Sequence, residues 1–178
     1  ETWTKYMGQR GEHYYVEEQY RDQQGNMKTR SVRHTRWIPK WGAVKCAFDD
    51  ILIAASNSLP SMFLDGLRNW KLDQLVPYDE KFLSGFKTET YSVDLKKGFD
   101  KAKNVMDGVI DDKVREDIGG DEQRVESKDI TFSDLTFKHI LLPIWLCAFR
   151  YGDKSYRFVI NGQTGEIRGE HPTSWLKV

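Results

Sequence analysis

Polar and apolar positions alternate along residues 12–22, EHYYVEEQYRD, and again along residues 27–39, MKTRSVRHTRWIP, with Asp22-Gln23-Gln24-Gly25-Asn26 between them. A period of two is the mark of a half-exposed strand, and Gly25 and Asn26 tolerate the positive φ of a tight connection. The stretch therefore predicts an antiparallel hairpin. Val32, His34 and Arg36 fall on one face of its second strand, and Arg33, Thr35 and Trp37 on the other. Residues 41–56, WGAVKCAFDDILIAAS, are apolar enough for a more buried strand after a glycine turn. Ser58-Leu59-Pro60 then opens a short helix in which Leu59, Met62, Phe63, Leu67 and Trp70 keep helical spacing. A further helical turn begins near Pro77, with Phe82 and Leu83 directed inward, and KTETYSV is strand-like.

The clearest helix covers residues 94–118. Leu95, Phe99, Ala102, Met106, Val109, Ile110 and Val114 recur at steps of three and four, while lysines and aspartates fill the other side. Asp94 is suited to cap it, and Gly119-Gly120 is suited to stop it. The strands that follow are EQRVESKDITFSDLTF, with a register change near Ser127–Asp129, and KHILLPIWLCAFRYG, read as a long buried strand interrupted by Pro143. SYRFVING and TGEIRGE form a terminal hairpin. Strands, short helices, one long helix and strands again predict an α+β fold, with helices packed on a face of antiparallel sheet. The organisation expected is one domain, or two small lobes at 1–57 and 58–178.

Composition narrows the function classes. Of 178 residues, 39% are hydrophobic, 30% charged and 13% aromatic, so the chain is globular rather than disordered. Twenty-seven basic residues balance 27 acidic ones, which removes any global attraction to nucleic acid or acidic lipid. Cys46 and Cys147 lie in apolar runs and read as free buried thiols of a reducing compartment, and the four histidines are scattered singly. The longest apolar run, ILLPIWLCAF at 140–149, is about half of what a membrane-spanning helix needs. The polar start ETWTKYMGQRGE and the end at Val178 read as the bounds of a piece cut from a longer protein.

Candidate chemistry is sparse. Residues 28–45 carry Lys28, Arg30, Arg33, Arg36, Lys40 and Lys45 with no acidic residue, interleaved with Trp37 and Trp41. Cations contact phosphates and aromatic faces stack bases, so Arg33, Arg36, Trp37, Lys40 and Trp41 form a candidate interaction surface. Alternation nonetheless sends these side chains to two faces, and Glu12, Glu17, Glu18 and Asp22 stand on the neighbouring strand to neutralise them. Asp121 and Glu122 are near neighbours beside a flexible glycine pair, where paired carboxylates could serve as acid and base; a solvated strand entry is the expectation. No serine sits in a nucleophile turn, and neither cysteine opens a helix. NGQTGE is followed by no helix, so it reads as a β-turn rather than a phosphate loop.

Two resemblances appear in these residues. YRFVINGQTGEIRGE resembles the closing strand pair of PepSY-type domains, which implies a cystatin- or PepSY-like arrangement of helix on sheet. More broadly, TRWIPKWGAVKCAFDDILIAASNSLP, LVPYDEKFLSGFKTETYSVDL, DIGGDEQRV and TFKHILLPIWLCAFRYGDKSYRFVINGQTGEIRGEHPTSWLK resemble a bacterial family of TFIIB-type zinc-ribbon membrane proteins, often labelled primosomal-helicase-like. The family implies a zinc ribbon before this domain and membrane helices after it. Zinc would then belong to the upstream ribbon alone, and residues 1–178 would carry no cofactor. The resemblance implies protein partners of the phage-shock and flotillin-like (SPFH) membrane-stress systems, and a place at the cytosolic face of the bacterial membrane. In that setting Trp175 and Lys177 would anchor the chain at the membrane interface.

The expectation is thus a non-catalytic, membrane-proximal protein-interaction domain, with homo-oligomerisation left open and nucleic acid not expected. The alternative is a nucleic-acid-binding accessory domain using residues 28–45.

Overall fold

The computed structural model describes residues 1–172. In chain order its elements are β1 (Thr2–Arg21), β2 (Met27–Cys46), α1 (Ser61–Leu64), α2 (Leu95–Ile118), β3 (Glu122–Phe132), β4 (Ile144–Tyr151), β5 (Lys154–Asn161) and β6 (Ile167–Gly169), with short 3-10 turns at Leu72–Gln74 and Glu80–Leu83. This is the α+β mixture that the hydrophobic pattern predicts. The chain divides into two compact units, each assembled from two separate stretches: residues 1–51 with 101–136, and residues 52–100 with 137–178. β1 is hydrogen-bonded to both β2 and β3, and that pairing draws the third strand into the first unit together with most of α2.

The first unit is a three-stranded antiparallel sheet in the order β2-β1-β3 with α2 on one face. Both strands of the hairpin extend further from the turn than the alternating runs suggest. β1 starts at Thr2, where Thr2, Thr4 and Tyr6 are buried and Trp3, Lys5 and Met7 are exposed. β2 runs unbroken through Pro39 and Gly42 to Cys46 instead of restarting after a glycine turn. Pro39 is tolerated because β2 is an edge strand, so one of its sides needs no ladder hydrogen bond. The register change predicted near Ser127 is present as a bulge: Met7 faces Ser127, but Gly8 faces Val125.

The helix lies on this sheet through Met106, Ile110, Val114 and Ile118, which recur every four residues and are all buried. The predicted apolar stripe was broader than the one used: Leu95 and Val109 are half exposed. Asp94 accepts the backbone N–H of Lys97 at 2.9 Å, the expected N-terminal cap. Two glycines let the layers approach. A Cβ on Gly8 would stand 2.3 Å from the Arg124 carbonyl oxygen and 2.9 Å from Ile118 Cδ1. Gly42 lies directly across the ladder from Tyr6, whose ring covers it and whose hydroxyl donates to Asp117 on the helix.

The second unit holds the antiparallel sheet β4-β5-β6. Its core is Phe63, Leu67 and Val159, flanked by Trp70 and Ile144. The run KHILLPIWLCAFRYG is not one long buried strand. It becomes a strand only after Pro143, and most of its side chains are exposed or half exposed. The terminal turn closes as predicted, with the Asn161 side-chain oxygen accepting the N–H groups of Gln163 and Thr164 at 2.9 and 3.2 Å. Glu166 ties this turn to the loop after α1 by accepting from the backbone N–H groups of Arg68 and Asn69. Residues 87–93, read as a strand, form none. Nearby, the Ser92 and Val93 N–H groups both donate to the Ala55 carbonyl.

Candidate interaction surfaces

β3 ends opposite Gly11, and from Glu12↔Arg36 to Arg21↔Met27 the first two strands continue alone for ten residue pairs. At the usual rise of about 3.4 Å per residue this makes an arm roughly 30 Å long. Two-stranded ribbons are marginally stable in water without a supporting layer, so the arm's two faces decide what it can do.

One face of the arm continues the side of the sheet on which α2 lies, beyond the point where the helix stops. It presents Tyr14 beside His34, stacked at 5.5 Å between ring centroids, then Val16 beside Val32, then Tyr20 with the Arg30 guanidinium 5.6 Å from its ring. Tyr14, Val16 and Tyr20 are all at least 40% exposed. The charges on this face are paired across the strands, Arg36 to Glu12 at 2.9 Å and Arg30 to Glu18 at 3.0 Å. Lys28 meets Asp22 at the tip at 3.0 Å. The Arg36 guanidinium holds the Glu12 carboxyl below the usual carboxylate range, and the Asn26 N–H, followed by Lys28, does the same for Asp22. Within residues 28–45, Lys28, Arg30 and Arg36 are thus neutralised by Asp22, Glu18 and Glu12 as the sequence predicts, and Lys45 meets Glu1 at 2.5 Å.

The residues singled out from the sequence are divided by the pleat. Arg36 and Lys40 stand on the helix side, opposite Glu12 and Gly8; Arg33, Trp37 and Trp41 stand on the other side, opposite Tyr15, Gly11 and Met7. Trp37 is partly buried beneath the Arg124 guanidinium, 3.7 Å above its ring. Trp41 is 73% exposed. These five residues therefore do not form a single basic-aromatic patch. Trp175 and Lys177 lie outside the described residues.

Missed by the sequence reading is the open face of the first unit's sheet, opposite α2. It bears Trp3, Met7 and Trp41, all more than half exposed, with Met7 directly across from Trp41. The signal is the alternation of TWTKYMG, whose strand period places Trp3 and Met7 on one face. At the base of the arm, His13 Nε2 lies 2.7 Å from Glu122, Thr35 donates to the same carboxylate, and Asp121 accepts the His13 N–H at 2.7 Å. Glu122, its carboxyl held low first by His13, is engaged in joining β3 to the hairpin rather than aimed with Asp121 into a pocket.

In the second unit the side of the sheet away from Phe63 is also open. A shallow depression of about 400 Å³ there is lined by Trp145, Cys147, Ile160, Asn161, Gly162 and Gly165. A second, of about 520 Å³, is lined by Phe149, Phe158, Ile167, Gly169, Glu170 and His171. Both are apolar and lack a converging set of polar groups. Among the described residues no group of three His, Cys, Asp or Glu side chains could hold a metal ion, and no helix is long and apolar enough to cross a membrane.

Comparison with known proteins adds one relative. Over 129 residues the chain is 27% identical to the uncharacterized protein YdjG of Bacillus subtilis (strain 168). The match takes in 72% of this chain and 38% of that protein, so the chain spans well under half of the relative's length. No family model matches the chain, and no solved structure matches it.

Proposed function

We propose that this chain is a non-catalytic protein-interaction domain that recruits another protein through the arm formed by residues 12–36. The observation that carries this reading is the uncovered stripe Tyr14, Val16 and Tyr20, set among ion pairs that are already satisfied within the arm. Aromatic groups offer large contact area at a low cost in side-chain entropy, and they are the favoured anchors of protein interfaces. A surface whose charges are internally paired gains little from a polyanion, which weighs for a protein partner over nucleic acid. In this reading the domain sits at the cytosolic face of the cell membrane as part of a zinc-ribbon membrane protein, and its partner belongs to the phage-shock or flotillin-like class. The support for that setting is the resemblance of four segments, from TRWIPKWGAVKC to the closing hairpin, to that family.

The test is affinity capture of the intact protein from membranes, comparing the natural sequence with a Val16→Glu, Tyr20→Glu double variant. Both positions are exposed, so folding should be retained, as far-UV circular dichroism would verify. The reading expects retention of a phage-shock or flotillin-like protein by the natural sequence and at least tenfold less by the variant. Equal recovery by both would sink it. Binding of single- or double-stranded DNA at low salt that Arg33→Ala with Arg36→Ala abolishes would favour the accessory nucleic-acid reading instead.

A further inference from the structure

Asn161 and Gly162 open the terminal turn, and an asparagine is chemically least secure when a glycine follows it. Glycine sets no side chain beside its own nitrogen, so in a flexible chain that nitrogen readily reaches the preceding side-chain amide. The fold restrains every part of this pair. The Gly162 N–H donates to the Pro143 carbonyl at 2.8 Å, and Pro143 lies so close that a Cβ on Gly162 would stand 2.8 Å from the Pro143 Cβ. The Asn161 carbonyl accepts from Gly165 at 2.8 Å, and the Asn161 N–H donates to the Glu166 carbonyl at 2.9 Å. Its Oδ1 is held by the N–H groups of Gln163 and Thr164, while Nδ2 is buried without a hydrogen-bond partner. The residue is 1% exposed.

We infer that Asn161 is a latent modification site, a deamidation site that stays closed while Pro143 is docked on Gly162 and that acts as a one-way latch once converted. In the reaction the Gly162 nitrogen bonds to the Asn161 Cγ, the Cγ–Nδ2 bond breaks, and ammonia leaves with the proton given up by the Gly162 nitrogen. Water then opens the cyclic imide. Addition at Cγ leaves aspartate. Addition at the main-chain carbonyl of the same residue leaves isoaspartate, whose main chain is longer by one methylene.

Two effects oppose each other here. The N–H groups of Gln163 and Thr164 on Oδ1 would stabilise the oxyanion formed by the attack. They are idle while Pro143 engages the nucleophilic nitrogen and burial keeps water from the amide, so the rate is set by how often Pro143 leaves. Residues 135–143 form no helix or strand, and Pro143 is exposed. Such a segment opens at a lower free-energy cost than the core around Phe63 and Val159. The extra methylene of isoaspartate falls between the N–H that donates to Glu166 and the N–H that donates to Pro143, so one of those bonds is displaced. Opening thus permits conversion, and conversion keeps the segment open.

Peptide mapping by mass spectrometry tests this on the chain incubated at pH 8, folded or held unfolded in urea. Deamidation at Asn161 is expected to be at least tenfold slower in the folded chain. Pro143→Gly removes the ring beside Gly162 at an exposed position and is expected to raise the folded-state rate at least threefold, with the far-UV circular dichroism unchanged. If that variant does not fold, Pro143→Ala, which keeps Cβ and loses the rest of the ring, is measured in its place with the same expectation. The isoaspartate form, separated by chromatography, is expected to unfold at a lower urea concentration than the natural sequence. A folded rate less than tenfold below the unfolded one, no rise in the folded Pro143 variant, or an unchanged urea midpoint of the isoaspartate form overturns the proposal.

Discussion

Replacing Tyr6 by Phe removes one oxygen from the junction between sheet and helix, and the structure sets what that should cost. Tyr6 is 4% exposed, its ring fills the space over Gly42, and its hydroxyl donates to the Asp117 carboxylate on α2. Burial first, and then the neighbouring Asp117 carboxylate, push the phenol up to about 12 from its ordinary value of 10. A shift of that size is roughly 2–3 kcal/mol of preference for the neutral phenol in the folded state, its largest part the burial penalty on the phenolate, while the hydrogen bond to a charged group is itself worth about 1.5–3 kcal/mol. The folded state holds the proton more tightly than the unfolded one, so the natural sequence keeps its full stability below pH 10 and loses stability as pH rises from 10 to 12. Tyr6→Phe lacks the hydrogen bond at every pH and has no phenol to ionise. Urea unfolding followed at 222 nm, where α2 dominates, should place the variant about 2 kcal/mol below the natural sequence at pH 8. At pH 11 the gap should have narrowed by about 1.4 kcal/mol. A gap under about 0.5 kcal/mol at pH 8, or one that stays constant to pH 11, would refute this account of the junction.

Other positions give equally direct outcomes. Ile110 is wholly buried and Val109 beside it is half exposed, so Ile110→Ala should cost about 2–5 kcal/mol and Val109→Ala less than about 0.5 kcal/mol by the same unfolding assay. Asn161→Ala leaves the N–H groups of Gln163 and Thr164 without their acceptor, which should cost about 1–3 kcal/mol and accelerate proteolysis within residues 162–166. A double-mutant cycle on Glu18 and Arg30 should give a coupling below about 1 kcal/mol that vanishes in 1 M salt, because the pair is solvent-exposed.

The elements that were legible in the sequence are those whose pattern is local. The arm's strands alternate over many residues around a turn rich in Gly and Asn, and α2 repeats its apolar positions between a capping Asp94 and two glycines. Both features appear almost where the spacing puts them. What was hidden depends on partners distant in the chain. Nothing near Gly8 or Gly42 announces that each makes room for a layer above it, because Ile118 and the Tyr6 ring arrive from elsewhere. β2 continues through Pro39 and Gly42 only because it lies at an edge with β1 beside it, whereas local rules break a strand at such residues. The apolar run KHILLPIWLCAF predicts a buried strand. Its exposure reflects a sheet in which one face is covered by Phe63 and Leu67 and the other is open. The open face of the first sheet is half legible: the sequence singles out Trp41, but its neighbours Trp3 and Met7 come from the other strand, across the ladder.

The central claim, that the arm's helix-side stripe is a docking surface for another protein, is tested most directly by photo-crosslinking in the intact protein in cells. A photoreactive residue at Val16 or Tyr20 should form a discrete adduct with a second protein. The same residue at Asp153, exposed in the turn between β4 and β5, should form none. Adducts of equal yield from Asp153, or no adduct from either arm position, would contradict the account.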